Sequence, residues 1–193
     1  KKKTRASIAK EKGLEPLAVI LMKQKEMNIN GRAAEFITDA VPDEEAALHG
    51  ARDIIAEWVN EDQQARVSVR QSFARGAVIT SRLIKGKEGE GIKYKDYFDF
   101  SEPLSRCPSH RLMAMLRGED EGMLRLTIEP DADKTIDQLN RQFIRSSGEC
   151  ATQIAMAIKD SYKRLLAPSI ETEFRSLSKE KADEQAIRVF ADN

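Results

Sequence analysis

Apolar residues recur at helical spacing over most of the chain. Leu14, Leu17, Ala18 and Leu21 share one face, with Pro16 at a first-turn position and Gly13 closing a shorter helix before it. Pro42, followed by Asp43, Glu44 and Glu45, opens another helix, and the three acids sit where the macrodipole favours negative charge. Its inner face reads Leu48, Ala51, Ile55 and Val59, with Trp58 beside it. The pattern continues as helix over 62–75 and stops at Gly76. After Asp131 the helical spacing returns, with Ile136, Leu139 and Phe143 inward, then Ile154, Ala155, Ile158, Tyr162 and Leu165. Pro168 is expected to restart a last helix carrying Ile170, Phe174, Leu177, Ala186, Val189 and Phe190.

The middle of the chain reads differently. Ala77 to Ile84 is apolar and rich in β-branched residues, which fits helix or strand. Residues 85–91, KGKEGEG, form a loop by composition. Tyr94, Tyr97, Phe98 and Phe100 then place four of the eleven aromatics within seven residues. Pro108-Ser109 starts a helix that Gly118 stops, with Ser109 as the expected cap. From Met123 to Glu129, Leu124, Leu126 and Ile128 alternate with polar neighbours, which predicts a strand. The fold class is therefore mainly α with one short β element.

Composition narrows the function classes. The 193 residues carry 32 basic and 32 acidic groups, which excludes a uniformly basic nucleic-acid coat or an acidic tail. The neutrality is assembled from blocks: +5 over 1–30, −6 over 31–66, +5 over 67–117, −5 over 118–137 and +1 over 138–193. Opposite blocks of similar size in a small protein pair with each other more readily than they serve partners. The longest apolar run, Leu17 to Met22, has six residues, so no membrane partner is expected. Two cysteines make no disulfide framework and suit a reducing cytoplasm. The chain opens on Lys1 and closes in mid-helical pattern, as a piece of something longer would.

No enzyme signature emerges, and no catalytic residue, cofactor or metal ligand is assigned. The glycines at 86, 89 and 91 run G-x-x-G-x-G, the reverse of a dinucleotide fingerprint, and read as a flexible hairpin tip. Cys107 and Cys150 are as far from a zinc spacing as His49 and His110. Cys107 lies near His110, but a nucleophilic pair also needs an orienting group and an oxyanion site. Glu119-Asp120-Glu121 lacks the EF-hand pattern and reads as a solvated turn.

Five segments together carry a family resemblance: KTRASIAKEKGLEPLA (3–18), GARDIIAEWVNED (50–62), KGKEGEGIKYKDYFDFSE (85–102), PSHRLMAMLRGEDEGML (108–124) and SYKRLLAPSIETEFRSLSKEKADEQAIRVFADN (161–193). The chain resembles the bacterial Tex proteins, RNA-binding transcription accessory factors, nearly end to end. Trp58 and Cys107 depart from the expected residue types, and Cys107 thereby loses any claim to a special role. The resemblance implies helix-turn-helix-like helices at the amino end and a long helix at the other. An RNase H-like domain, a helix-hairpin-helix region and an OB-fold RNA-binding domain would follow outside this chain. On that basis residues 1–75 form a helix-turn-helix-like part, 76–130 hold the loop, aromatic motif and β element, and 131–193 lead towards the RNase H-like domain.

Two functional expectations follow. In the first, the chain is a helical scaffold with weak, non-specific nucleic-acid contact, RNA or DNA being held mainly by the domains absent here. Candidate contacts are Lys1, Lys2, Lys3 and Arg5 at the amino end, with Lys10 and Lys12 nearby. A second set, Lys85, Lys87, Lys93 and Lys95 with Arg82, interleaves with Tyr94 and Tyr97, as a single-strand platform would. For the lysines, nucleic-acid contact and a solvated face are both open. The aromatics read better as a small local core, with Asp96 and Asp99 tied to Arg111 or Arg117. In the second expectation the chain is a protein-interaction module that docks neighbouring domains or transcription machinery, through such surfaces as the apolar face of the last helix.

Overall fold

Two hydroxyls set the start of the first helix. Thr4 Oγ1 accepts from the Ser7 N–H at 3.0 Å, and Ser7 Oγ accepts from the Thr4 N–H at 2.9 Å, so orphan donors at the amino end are satisfied reciprocally. In this computed structural model, which describes residues 2–192, α1 (Arg5–Glu11) turns at Gly13 (φ +81°) into α2 (Glu15–Lys23). A short α3 (Ile29–Ala34) and the long α4 (Glu44–Glu61) follow. Asp43 caps α4 by accepting from the Ala46 N–H at 2.7 Å.

The helix expected to run on over 62–75 is a separate one. Asp62 has extended backbone (φ −69°, ψ 124°), and its carboxylate accepts from the Ala65 N–H at 2.8 Å, which opens α5 (Gln63–Gly76). Three strands, β1 (Val78–Leu83), β2 (Asp99–Pro103) and β3 (Leu124–Glu129), follow with α6 (Ser109–Asp120) between the last two. The chain then runs through α7 (Ala132–Phe143), α8 (Glu149–Ser161) and α9 (Ala167–Asp192).

The protein is thus mainly α, as its periodicity predicts. Pro168 does not restart the last helix. Residues Tyr162–Leu166 widen into a π turn in which the Ala167 N–H bonds to the Tyr162 carbonyl, and helix continues on both sides. A proline inside a helix lacks a donor and crowds the carbonyl four residues back, and the wider turn accommodates both. The buried stripe passes through Ala157 and Leu166 rather than the expected Ala155 and Leu165. Ser109 is not the cap of α6 either; Pro108 holds that place and the Ser109 hydroxyl donates to Gln185.

The chain divides into two compact units. The first comprises the chain up to Ser68 together with Asp133–Ala167. Here α1, α2, α3 and α8 pack round α4, whose Ala47, Ala51, Ile54, Ile55, Ala56 and Val59 are fully buried. A Cβ on Gly50 would overlap Leu14 Cδ1, so a side chain there would push the end of the buried Leu14 aside.

The second unit comprises Val69–Ala132 and the chain from Pro168 onward. Its sheet is antiparallel in the order β2-β1-β3, with Ser81 opposite both Phe100 and Leu126. The expected β element is therefore the third strand of a larger sheet. Leu124, Leu126 and Ile128 form the buried face of β3, on which α6 packs. A Cβ on Gly118 of α6 would overlap the Leu124 side chain and sit tightly against Tyr94.

Candidate nucleic-acid interface

The amino-terminal cations sit at the start of α1, in the first unit. Lys2, Lys3, Arg5, Lys10 and Lys12 are exposed because Ala6 and Ala9 turn the other face of α1 inward. Lys1 lies outside the described residues. Carboxylates interrupt the group. Lys3 pairs with Glu11 at 3.3 Å, and Thr4 Oγ1 donates to Glu57 at 3.2 Å. Arg5 lines a hollow with His49 and Asp53, and His49 Nδ1 stands 3.5 Å from Asp53 Oδ2. Burial raises the Asp53 carboxyl above its ordinary value; His49 opposes that shift and Asp160 adds to it.

The second basic stretch sits on the loop between β1 and β2, in the other unit. The Ile84 N–H bonds to the Met123 carbonyl at 2.9 Å and the Gly91 N–H to the Lys87 carbonyl at 2.8 Å, which ties the loop at its base and its far end. Lys87 pairs with Glu90 at 3.6 Å, and Lys93 with Glu121 at 2.9 Å. Lys85 and Lys95 are exposed and make no ion pair among the described residues. Arg82 pairs with Asp99 at 2.9 Å.

The aromatics interleaved with these cations are not a free platform. Tyr94 is 4 % exposed, its hydroxyl donates to Glu121, and Lys93 Nζ lies 5.2 Å from its ring centroid. Tyr97 meets Phe100 edge-on with centroids 5.6 Å apart. The acidic ties of this motif differ from those expected of Asp96 and Asp99. Glu102 holds Arg111 at 2.7 Å, and the Arg111 guanidinium lies 5.5 Å from the Phe100 centroid. Glu102 occupies a β2 position whose side chain is half-buried, whereas Asp96 is exposed.

Asp120 and Glu121 are exposed, as a solvated turn would be, but Glu119 and Glu121 also have partners. Glu119 accepts from Arg175 at 2.6 Å and from the Leu126 N–H at 3.3 Å. The Tyr94 hydroxyl and then Lys93 lower the Glu121 carboxyl below its ordinary value. Arg175, which no sequence signal singled out, also donates to the Leu126 carbonyl at 2.5 Å and to Glu171 at 3.1 Å. Burial, and then Glu102, push the Cys107 thiol up to about 12, away from the thiolate that nucleophilic chemistry uses. Among the described residues no three His, Cys, Asp or Glu side chains gather as a metal would need, and no helix is long and apolar enough to cross a membrane.

Comparison with known proteins places this arrangement. Residues 24–190 match the family described as Tex central region-like. The whole chain aligns with the transcriptional accessory protein Tex of Neisseria gonorrhoeae at 36 % identity and with the uncharacterised protein YdcI of Bacillus subtilis at 39 %. It covers 26 % of the former and 28 % of the latter. The transcription elongation factor spt6 of Schizosaccharomyces pombe is 25 % identical over 79 % of this chain and 12 % of its own length. The chain thus spans about a quarter of the length of the bacterial relatives.

Proposed function

The chain belongs to the Tex family, through its central region, and on that premise we propose that it is a non-catalytic helical scaffold within a cytoplasmic transcription accessory factor. It touches RNA or DNA weakly and without sequence preference, and its helix-turn-helix-like amino end and the β1–β2 loop supply the contacts. The names of the Neisseria and Schizosaccharomyces relatives support the transcription role.

The observation that carries the weak-contact reading is the interleaving of lysines with carboxylates. Lys3 faces Glu11, Lys87 faces Glu90 and Lys93 faces Glu121, so each of these cations trades an existing partner for a phosphate. Lys85 and Lys95 then remain on the loop, and Lys2, Arg5, Lys10 and Lys12 at the amino end. Non-specific affinity rests on the number of phosphates neutralised together, and short interrupted sets neutralise few.

Gel-shift titrations of this chain with single- and double-stranded RNA and DNA at low salt test the proposal. Weak binding to all four with little difference between sequences is expected. A nanomolar, sequence-selective complex at physiological salt would overturn it.

A further inference from the structure

The second unit carries a groove of about 550 Å³ between one face of α9 and the segment that leads into α6. That volume falls within the roughly 300–1,000 Å³ range of sites that take a ligand or a side-chain cluster. Its apolar lining comes from Phe73, Leu104, Leu112, Phe174 and Leu177. The Phe73 ring, from α5, meets the Phe174 ring of α9 at 5.4 Å and backs that wall. The Ser109 hydroxyl, donating to Gln185, spans the two walls further along.

Leu177 is 58 % exposed at this site, far more than a side chain serving only the core of this unit. The charged residues of the lining are Arg106 and Lys181, and both are exposed. Neither forms an ion pair among the described residues. Although α9 also carries Glu180, Asp183 and Glu184, none of them lines the groove. This is the reverse of the β1–β2 loop, where Lys87 and Lys93 are already matched by carboxylates.

An apolar floor with two unmatched cations at its edge calls for an occupant that brings both hydrophobic surface and negative charge. We propose that this groove docks a short peptide segment of a protein partner in which a large apolar side chain is flanked by carboxylates. The apolar side chain seats against Leu104, Phe174 and Leu177, and the flanking acids meet Arg106 and Lys181. Nucleic acid fits the site less well, because its phosphates would find two cations while the apolar floor stayed uncovered. The inference stands apart from the nucleic-acid reading, since it uses none of the residues assigned there.

A random 12-residue peptide library displayed on phage, selected against the whole 193-residue chain, is the test. The selected peptides are expected to combine an aromatic or leucine residue with at least two carboxylates. Synthesised with a fluorophore, they should lose at least tenfold in affinity to Leu177→Glu and to the double variant Arg106→Glu, Lys181→Glu. Both variants change exposed side chains, and an unchanged thermal melt confirms folding. Failure to enrich any peptide, enrichment of peptides without carboxylates, or unaltered binding by both variants would overturn the proposal. So would self-association of the chain that Leu177→Glu abolishes, which would make a second copy the occupant. A single-stranded RNA oligonucleotide that competes the peptides off, and itself needs Arg106 and Lys181, would also overturn it.

Discussion

In the unit built round α4, helices meet through small and aliphatic side chains that are fully buried, and Gly50 leaves room for the end of Leu14. The sheet-bearing unit also has an apolar face on β3, and its last helix buries Ile170 and Ala182, but that helix is held by polar ties as well. Arg175, steadied by Glu171 on the same helix, reaches Glu119 and the Leu126 carbonyl; Arg70 grips Glu173 through two bonds of 2.9 Å; Phe174 meets Phe73. The stability that dense apolar packing supplies depends little on pH or salt, whereas that of ion pairs and charge-assisted bonds responds to both. The two units should therefore answer to different perturbations.

The largest effect is expected in the first unit. Ile54→Ala removes a fully buried side chain from α4 and should cost about 2–5 kcal/mol in denaturant titrations. That loss should be nearly the same at low and high salt. If it falls below about 1 kcal/mol, the packing round α4 is not what holds this unit together.

A smaller and salt-dependent loss is expected in the second unit. Arg175→Ala removes three bonds of a half-buried guanidinium and should cost about 1–3 kcal/mol, less as salt rises. Proteolysis reporting on α9 should show that helix opening first. A loss independent of salt, with α9 as protected as before, would remove the distinction between the units.

The smallest effects are pH-dependent and opposite in sign. Glu121 has its folded-state carboxyl lowered by the Tyr94 hydroxyl and by Lys93, so it adds stability above the ordinary glutamate range. That stability is lost as pH falls through the lowered value, and wild type and Glu121→Gln should converge in acid. Asp53 is raised, by burial first, so keeping it ionised near neutral pH works against folding. Asp53→Asn should be as stable as wild type or more so at neutral pH, with the advantage shrinking as pH falls through the raised value towards the ordinary aspartate range. Melting curves of both variants from neutral to acid pH check the two signs.

The same contrast separates what the sequence makes legible from what it conceals. Leu14 to Leu21 and Leu48 to Val59 announce the helices of the first unit because burial follows a 3.6-residue period. Leu124, Leu126 and Ile128 announce β3 by alternation. β2 escapes because an edge strand of five residues holding Asp99, Glu102 and Pro103 presents no alternating apolar face; half-burial of Phe100 and Glu102 is all that marks its inner side. Arg175–Glu119 and Arg111–Glu102 escape for another reason. A tie between residues distant in sequence leaves no periodic trace, and nothing in the sequence marks Glu102 above Asp96 and Asp99 as the partner of Arg111. The lysines of the proposed nucleic-acid contacts were readable as charge, but the carboxylates that pair with Lys3 and Lys93 became visible only with the fold.

The central claim is that both basic stretches neutralise few phosphates, and salt dependence counts them directly. Affinity for a fluorescein-labelled single-stranded RNA, measured by anisotropy over a range of salt, should give a slope of log K against log[salt] of about 4 or less in magnitude. Replacing Lys85, Lys87, Lys93 and Lys95 together by Ala, or Lys1, Lys2, Lys3 and Arg5 together, should flatten it according to which stretch makes the contact. A slope well beyond about 5, left unchanged by both sets of substitutions, would contradict the account.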